Sequence, residues 1–171
     1  EAIEKLAEKG IVKGTSETTF EPGRNITRAE FITLLVRALG LNCEFESNFD
    51  DVSPEGYYYE ALGIARQLGI AEGTGGNTFD PHAEITREDM IVLVARALEA
   101  AGRPLPSGDV SELSRFIDAD SISDYAVESV AGLVKEGIVK GSGDAINPRG
   151  TATRAEAAVI IYRIIEWLAG Y

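Results

Sequence analysis

Histidine and cysteine are almost missing from this chain: His82 and Cys43 are the single examples of each. One cysteine can form no internal disulfide. One histidine leaves no multi-histidine metal site and removes most histidine-based catalysis. Cations are also scarce. Sixteen Lys and Arg face 28 Asp and Glu, for a formal net charge of −12. A field of that sign disfavours nucleic acid and anionic membrane surfaces as partners. An anionic ligand would have to be held by a few placed cations. Long apolar runs are absent too. The most apolar stretch, residues 155–168, is broken by Glu156, Arg163 and Glu166. No window reaches the roughly 20 apolar residues of a membrane-spanning helix, so no membrane insertion is expected. No signal-peptide pattern is visible.

What remains is a globular composition. The 171 residues are 44% hydrophobic and 26% charged, enough for one domain with a sizeable core. No nucleophile–base pair, metal cluster or phosphate loop stands out, so the chain is read as no enzyme and without cofactors. The segment from Asp118 through Asp120 to Asp124 briefly suggests a calcium loop. Ile122 falls where an oxygen ligand is needed, however, and Ser123 replaces the sharp-turn glycine. The adjacent Asp50 and Asp51 have no partner acid at a defined distance, which argues against glycoside hydrolysis.

The chain is written three times. Residues 1–41 recur as 60–100 and again as 128–168. Gly10, Gly69 and Gly137 correspond, as do Gly14, Gly73 and Gly141, then Phe20, Phe79 and Ile146, then Pro22, Pro81 and Pro148. Last come Thr27-Arg28-Ala29-Glu30, Thr86-Arg87-Glu88-Asp89 and Thr153-Arg154-Ala155-Glu156. Matched lead-in segments begin at Phe49 and Phe116; no lead-in precedes the first copy. The repeats are therefore placed at 1–41, 49–100 and 116–168. Because the chain opens in mid-repeat, Glu1 is expected to be an artificial or processing boundary, which makes the missing signal uninformative.

Each copy reads as helix, turn-rich loop, helix, which makes the fold class all-α. Leu62, Ala65 and Leu68 follow helical spacing, and Gly69 and its equivalents sit where a left-handed residue ends a helix. Thr27 with Glu30, and Thr153 with Glu156, spell a capping box. Asp89 takes the glutamate position in the middle copy and should cap less well. The last helix, from residue 158 to Trp167, is apolar nearly all round and should be buried on most sides.

These ordered landmarks resemble the S-layer homology family, over essentially the whole chain. The family pattern runs Phe-x-Asp-Val, Trp-Ala, Ala-Ile, Gly-Ile-x-x-Gly, Phe-x-Pro and Thr-Arg-Ala-Glu. Here Phe49, Asp51, Val52, Tyr57, Ala61, Gly69-Ile70, Gly73, Phe79, Pro81 and Thr86-Arg87 follow it, and the third copy follows it through to Thr153-Arg154-Ala155-Glu156. Tyr57 and Tyr125 replace the family tryptophan, and the middle motif reads Thr-Arg-Glu-Asp. The resemblance implies a pseudo-threefold helical bundle, a spindle, with the second helices central and loop-bearing prongs projecting outward. It implies ligand grooves between the prongs, an extracellular place at the bacterial cell wall, and an anchoring function. The implied partner is an anionic secondary cell-wall polysaccharide, often ending in a sugar with a pyruvate ketal. The alternative is a structural module that self-associates in a surface lattice.

The residues themselves leave several readings open. Arg28, Arg87 and Arg154 occupy the first helical position, a poor place for a cation beside a positive dipole end. They either join the helix N–H groups in holding a carboxylate or pair with a nearby acid, within a repeat or between repeats. Tyr57 and Tyr125 either stack on a sugar or plug a small prong core. Asp51 and Asp118 either accept from sugar hydroxyls or cap the segment that follows. Gly14, Gly73 and Gly141 either serve the backbone turn or let a sugar approach it. Lys13 and Lys140 add cationic character to two copies, whereas Glu72 takes that place in the middle copy, which should bind anions least well.

Overall fold

The computed structural model describes residues 1–13 and 19–170. Six α-helices lie among them: α1 Ala2–Glu8, α2 Arg28–Ala38, α3 Tyr59–Gln67, α4 Arg87–Ala100, α5 Val127–Lys135 and α6 Arg154–Ala169. Three short 3-10 helices, Val110–Leu113, Ala119–Ser121 and Asp124–Ala126, carry the chain between α4 and α5. Extended pairing among the described residues is confined to isolated bridges. The fold is all-α.

The first helix of each repeat does not pack mainly on its own second helix. Instead α1 packs on α6, α3 on α2 and α5 on α4. Every such pair crosses a repeat boundary, and the α1–α6 pair joins the first copy to the last. The central helix α2 also touches both α4 and α6. Phe31, Ile32, Leu35, Val94, Leu98, Ala158 and Ile161 are buried in the common core.

The centre of the ring is a closed circuit of backbone hydrogen bonds. Ile26 N–H donates to Ala152 O (2.9 Å), Ala152 N–H to Ile85 O (3.0 Å), and Ile85 N–H to Ile26 O (3.1 Å). All three residues are fully buried, and each stands immediately before a helix-capping threonine. Buried backbone groups must be paired, and here each repeat pairs the next one's.

Local signals in the sequence match the observed helix ends. Both sides of the capping box form at Thr27–Glu30 and Thr153–Glu156. At α4 the Thr86 side chain accepts from Asp89 N–H, with no return bond, because the Asp side chain is one methylene too short. Gly10, Gly69 and Gly137 take φ of 69°, 73° and 70°. The residues after them, Ile11, Ile70 and Ile138, donate back to Leu6, Ala65 and Leu133. The α6 helix differs from expectation. Ala157, Ala158, Ile160, Ile161 and Ile164 are buried, but Val159, Tyr162, Ile165 and Trp167 are only partly so. Part of its apolar surface, including Val159, lines an open groove.

Candidate functional site: three grooves between repeats

The starts of α2, α4 and α6 each rest on the loop of another repeat. The first N–H groups of α2, at Arg28 and Ala29, donate to Ala83 O and Pro81 O (2.9 and 3.0 Å). Those of α4, at Arg87 and Glu88, donate to Gly150 O and Pro148 O (2.9 and 2.8 Å). Those of α6, at Arg154 and Ala155, donate to Arg24 O and Pro22 O (2.8 and 3.0 Å). The third N–H of each helix goes to its threonine cap. The orphan donors of these helix ends are therefore satisfied within the protein. Of the two readings left open, these N–H groups serve the one internal to the protein: they donate to loop carbonyls of another repeat.

The three arginines pair around the ring with the acid at the third helical position of the next repeat. Arg28 meets Asp89 (3.3 Å), Arg87 meets Glu156 (2.5 Å) and Arg154 meets Glu30 (3.6 Å). They are not equivalent. Arg28 also donates from Nε to Phe79 O (2.9 Å) and lies 4.5 Å over the Phe79 ring. Arg154 donates to Phe20 O (2.9 Å) and Lys13 O (3.1 Å), over the Phe20 ring at 4.6 Å. The third copy has Ile146 where the others have phenylalanine, so Arg87 lacks an aromatic face there. Its side chain is 20% exposed, against 12% for Arg28 and 9% for Arg154. Burial pushes the Arg154 pKa down, and the Glu30 carboxylate opposes it.

Above these pairs open three grooves of similar build. Each combines an arginine from one repeat, the prong of the next, and in two cases a tyrosine from the lead-in of the one after. The first groove joins Arg154, Tyr57, and Lys13 and Arg24 of the first repeat's loop. The second joins Arg28, the second prong and Tyr125. The third joins Arg87 and the third prong, with no tyrosine among its lining residues. Their volumes are about 440, 300 and 310 Å³ respectively.

Tyr57 and Tyr125 are 62% and 59% exposed, so they do not plug a core; the buried aromatics of the lead-in before α3 are Phe49 and Tyr58. Gly73 lines the second groove and Gly141 the third. Both have positive φ, 86° and 74°, so the turn demands glycine whatever else approaches it. Gly14 lies outside the described residues.

Asp51 and Asp118 line none of these grooves. Asp51 accepts from Phe79 N–H (2.9 Å) and Asp80 N–H (2.8 Å), one on each carboxylate oxygen. Asp118 repeats this with Ile146 N–H (2.9 Å) and Asn147 N–H (2.7 Å). Asp80 and Asn147 are non-glycine residues at positive φ, 58° and 54°. The aspartates clamp each lead-in to a left-handed turn in the prong.

A second arginine set went unnoticed in the sequence. Arg37, Arg96 and Arg163 stand ten residues after Thr27, Thr86 and Thr153, and one lines each groove. Arg163 donates to Ile138 O (3.1 Å) and Arg96 pairs with Glu72 (3.0 Å). The common register in three copies was the signal that could have found them.

Comparisons with known proteins place the three repeats in a family. The profile of the S-layer homology domain matches residues 1–32, 48–91 and 115–158. The chain belongs to the S-layer homology family. It is 39% identical over 168 residues to an amylopullulanase of Thermoanaerobacterium thermosulfurigenes, covering 97% of this chain and 9% of that protein. It is 33% identical over 170 residues to the surface-layer 125 kDa protein of Lysinibacillus sphaericus, covering 97% and 14%. It is 32% identical over 164 residues to the S-layer protein sap of Bacillus anthracis, covering 94% and 19%. The chain thus spans less than a fifth of the length of each of these relatives. S-layer homology repeats of this kind make a cell-surface anchoring module, associated with the cell wall.

Proposed function

We propose that the module holds an acidic polysaccharide of the cell wall in its inter-repeat grooves, with carboxylate groups of the polymer set against the clustered cations. The observation that carries this reading is the distribution of charge. The molecule bears −12 overall, yet the first groove is lined by Lys13, Arg24, Arg37 and Arg154 against the single carboxylate of Glu30. The third is lined by Lys140, Arg87 and Arg163 against Glu156 alone. Neither Lys140 nor Arg163 forms an ion pair with a described residue. A guanidinium can meet a carboxylate with two parallel bonds, and Tyr57 offers the adjoining flat face for a sugar ring.

Binding then depends on a few local cations rather than a basic field. Linked weak sites raise the overall affinity through effective concentration. The surface proteins and the amylopullulanase among the relatives carry such a region as a small part of a long chain. By the same token this module is read as the anchor of a longer surface protein, whose reaction, if any, lies outside these residues.

Calorimetric titration with purified wall polysaccharide, before and after its acidic ketal groups are removed, tests the proposal. Binding that disappears with those groups supports carboxylate recognition. Binding that persists unchanged means that neutral sugar surfaces are read and the groove cations are structural.

A further inference from the structure

The second groove differs from the other two in a way that starts with two side chains. In repeats 1 and 3 the second and third helical positions are alanine and glutamate: Ala29-Glu30 and Ala155-Glu156. The glutamates turn back to accept from the cap residue's own N–H, at 3.1 Å for Thr27 and 2.8 Å for Thr153. Repeat 2 has Glu88-Asp89 instead. Asp89 cannot reach back, and its carboxylate is taken up in the groove. Oδ1 accepts from the Tyr125 hydroxyl (2.7 Å) and Oδ2 from Arg28 (3.3 Å).

Glu88 reinforces this arrangement from below. It is buried, with 4% exposure, and accepts from Ser123 N–H (2.9 Å) and Ser123 Oγ–H (2.8 Å). Its Oε1 also lies 3.3 Å from the Tyr125 hydroxyl. A buried carboxylate with several donors holds them firmly. Tyr125 is thus tied at its hydroxyl to two carboxylates, which fixes its ring in place and takes up the polar group it could offer a sugar. At the groove's far side Glu72 pairs with Arg96 (3.0 Å), at the position held by Lys13 and Lys140 in the other prongs. Both cations lining this groove, Arg28 and Arg96, already have carboxylate partners there.

We propose that the three grooves are unequal: acidic saccharide enters the first and third, and the second is closed to it by the Arg28–Asp89–Tyr125 chain and by Glu72. This refines the function proposed above and rests on it. Arg28, Asp89 and Tyr125 come from the first repeat, the second repeat and the third lead-in, so the closed groove is a seam joining all three. An anion entering it would have to displace two carboxylates from their cations and meet their uncompensated charge. Glu72, Glu88 and Asp89 are accordingly specificity-determining residues: they set how many acidic groups one module holds.

The test is an amide-resolved NMR titration with the methyl glycoside of a hexose bearing a 4,6-linked pyruvate ketal, with the plain methyl hexoside as control. Saturable shifts are expected at Gly141 and Ser142 and around Tyr57, with Gly73 and Thr74 unmoved and about two ligands bound per chain. In the Glu72→Lys/Asp89→Glu variant Gly73 and Thr74 should respond, and a third ligand should bind. The single Glu72→Lys variant, which leaves the Asp89 contacts intact, should show a partial gain. Saturable shifts at Gly73 in the native protein, equal to those at Gly141, overturn the inequality while leaving groove binding in place. A folded double variant that gains no site removes Glu72 and Asp89 as the excluding residues. Silence at all three grooves overturns the groove reading itself.

Discussion

Arg154 and Glu30 are 124 positions apart in the chain, and their side chains stand 3.6 Å from each other. This contact closes a ring of three ion pairs, and it is the most buried of the three. Arg154 also donates to two carbonyls and covers a phenylalanine. Removing it strands two carbonyl acceptors in a partly desolvated place, while the Glu30 carboxylate keeps Arg24 (2.6 Å) and the Thr27 N–H (3.1 Å). Arg154→Ala is therefore expected to cost about 2–4 kcal/mol of stability. Arg28→Ala should cost somewhat less. Arg87→Ala, with the least buried of the three pairs and no phenylalanine beneath it, should stay within about 1 kcal/mol. Urea denaturation of the three variants gives the order. Equal losses would mean that the carbonyl bonds and stacking at Arg154 and Arg28 contribute nothing. Under the proposed function, Arg87→Ala is also the informative binding variant, since it weakens saccharide binding on an intact fold.

Thr27, Thr86 and Thr153 cap equivalent helices, but only the first and last receive a reciprocal bond from the third helical position. Thr27→Ala and Thr153→Ala lose the threonine acceptor and loosen the returning glutamate. They should cost about 1–2 kcal/mol. Thr86→Ala loses a single 3.3 Å bond and should cost about 0.5–1 kcal/mol. Thermal denaturation compared across the three variants checks this. A Thr86→Ala loss as large as the others would show that the return bond is unimportant.

These helix ends were legible in the sequence because their bonds span three residues. The capping boxes and Gly10, Gly69 and Gly137 could be assigned from spacing alone. The partners of Arg28, Arg87 and Arg154 could not, because they lie 61 or more positions away and depend on how the repeats close. The same holds for Asp51 and Asp118, whose donors are backbone N–H groups 28 and 29 positions on; nothing in a carboxylate's identity announces such a clamp. That α1 would pack on α6 followed from neither periodicity nor caps, since each first helix offers an apolar stripe that would suit any of the second helices. Glu72 did mark the middle groove as the least cationic, and the paired Arg96 explains why the local charge there is neutralised.

Gly141 and Gly137 both have positive φ, near 70°, but their surroundings differ. A Cβ on Gly137 would meet nothing within 4 Å, whereas one on Gly141 would lie 2.7 Å from Ala145 O and from a Phe116 ring carbon. Gly137→Ala should therefore cost only the left-handed penalty, about 1 kcal/mol. Gly141→Ala adds a backbone clash that the short turn cannot relieve, and should cost at least about 2 kcal/mol. The chemical denaturation midpoint separates the two. Comparable losses would mean that the turn at 141–145 yields easily.

Glu156 makes the stability sensitive to acid. Its partial burial acts to raise the carboxyl pKa. The bonds from Arg87 and Thr153 outweigh that and hold it below its ordinary value of 4.5. A carboxyl depressed in the folded state binds its proton more readily when unfolded, so folding is favoured wherever the group is ionised. The contribution is complete above about pH 5 and is lost as pH falls below 4.5 through the folded value. Glu156→Gln keeps the size of the side chain but cannot ionise. Its stability deficit against the native protein should be largest near neutrality and shrink as the pH is lowered from 5 to 3, measured by urea unfolding at each pH. A deficit that stays constant over this range would show that Arg87 and Thr153 bind the amide as well as the carboxylate, and that the ion pair closing this part of the ring is worth no more than its hydrogen bonds.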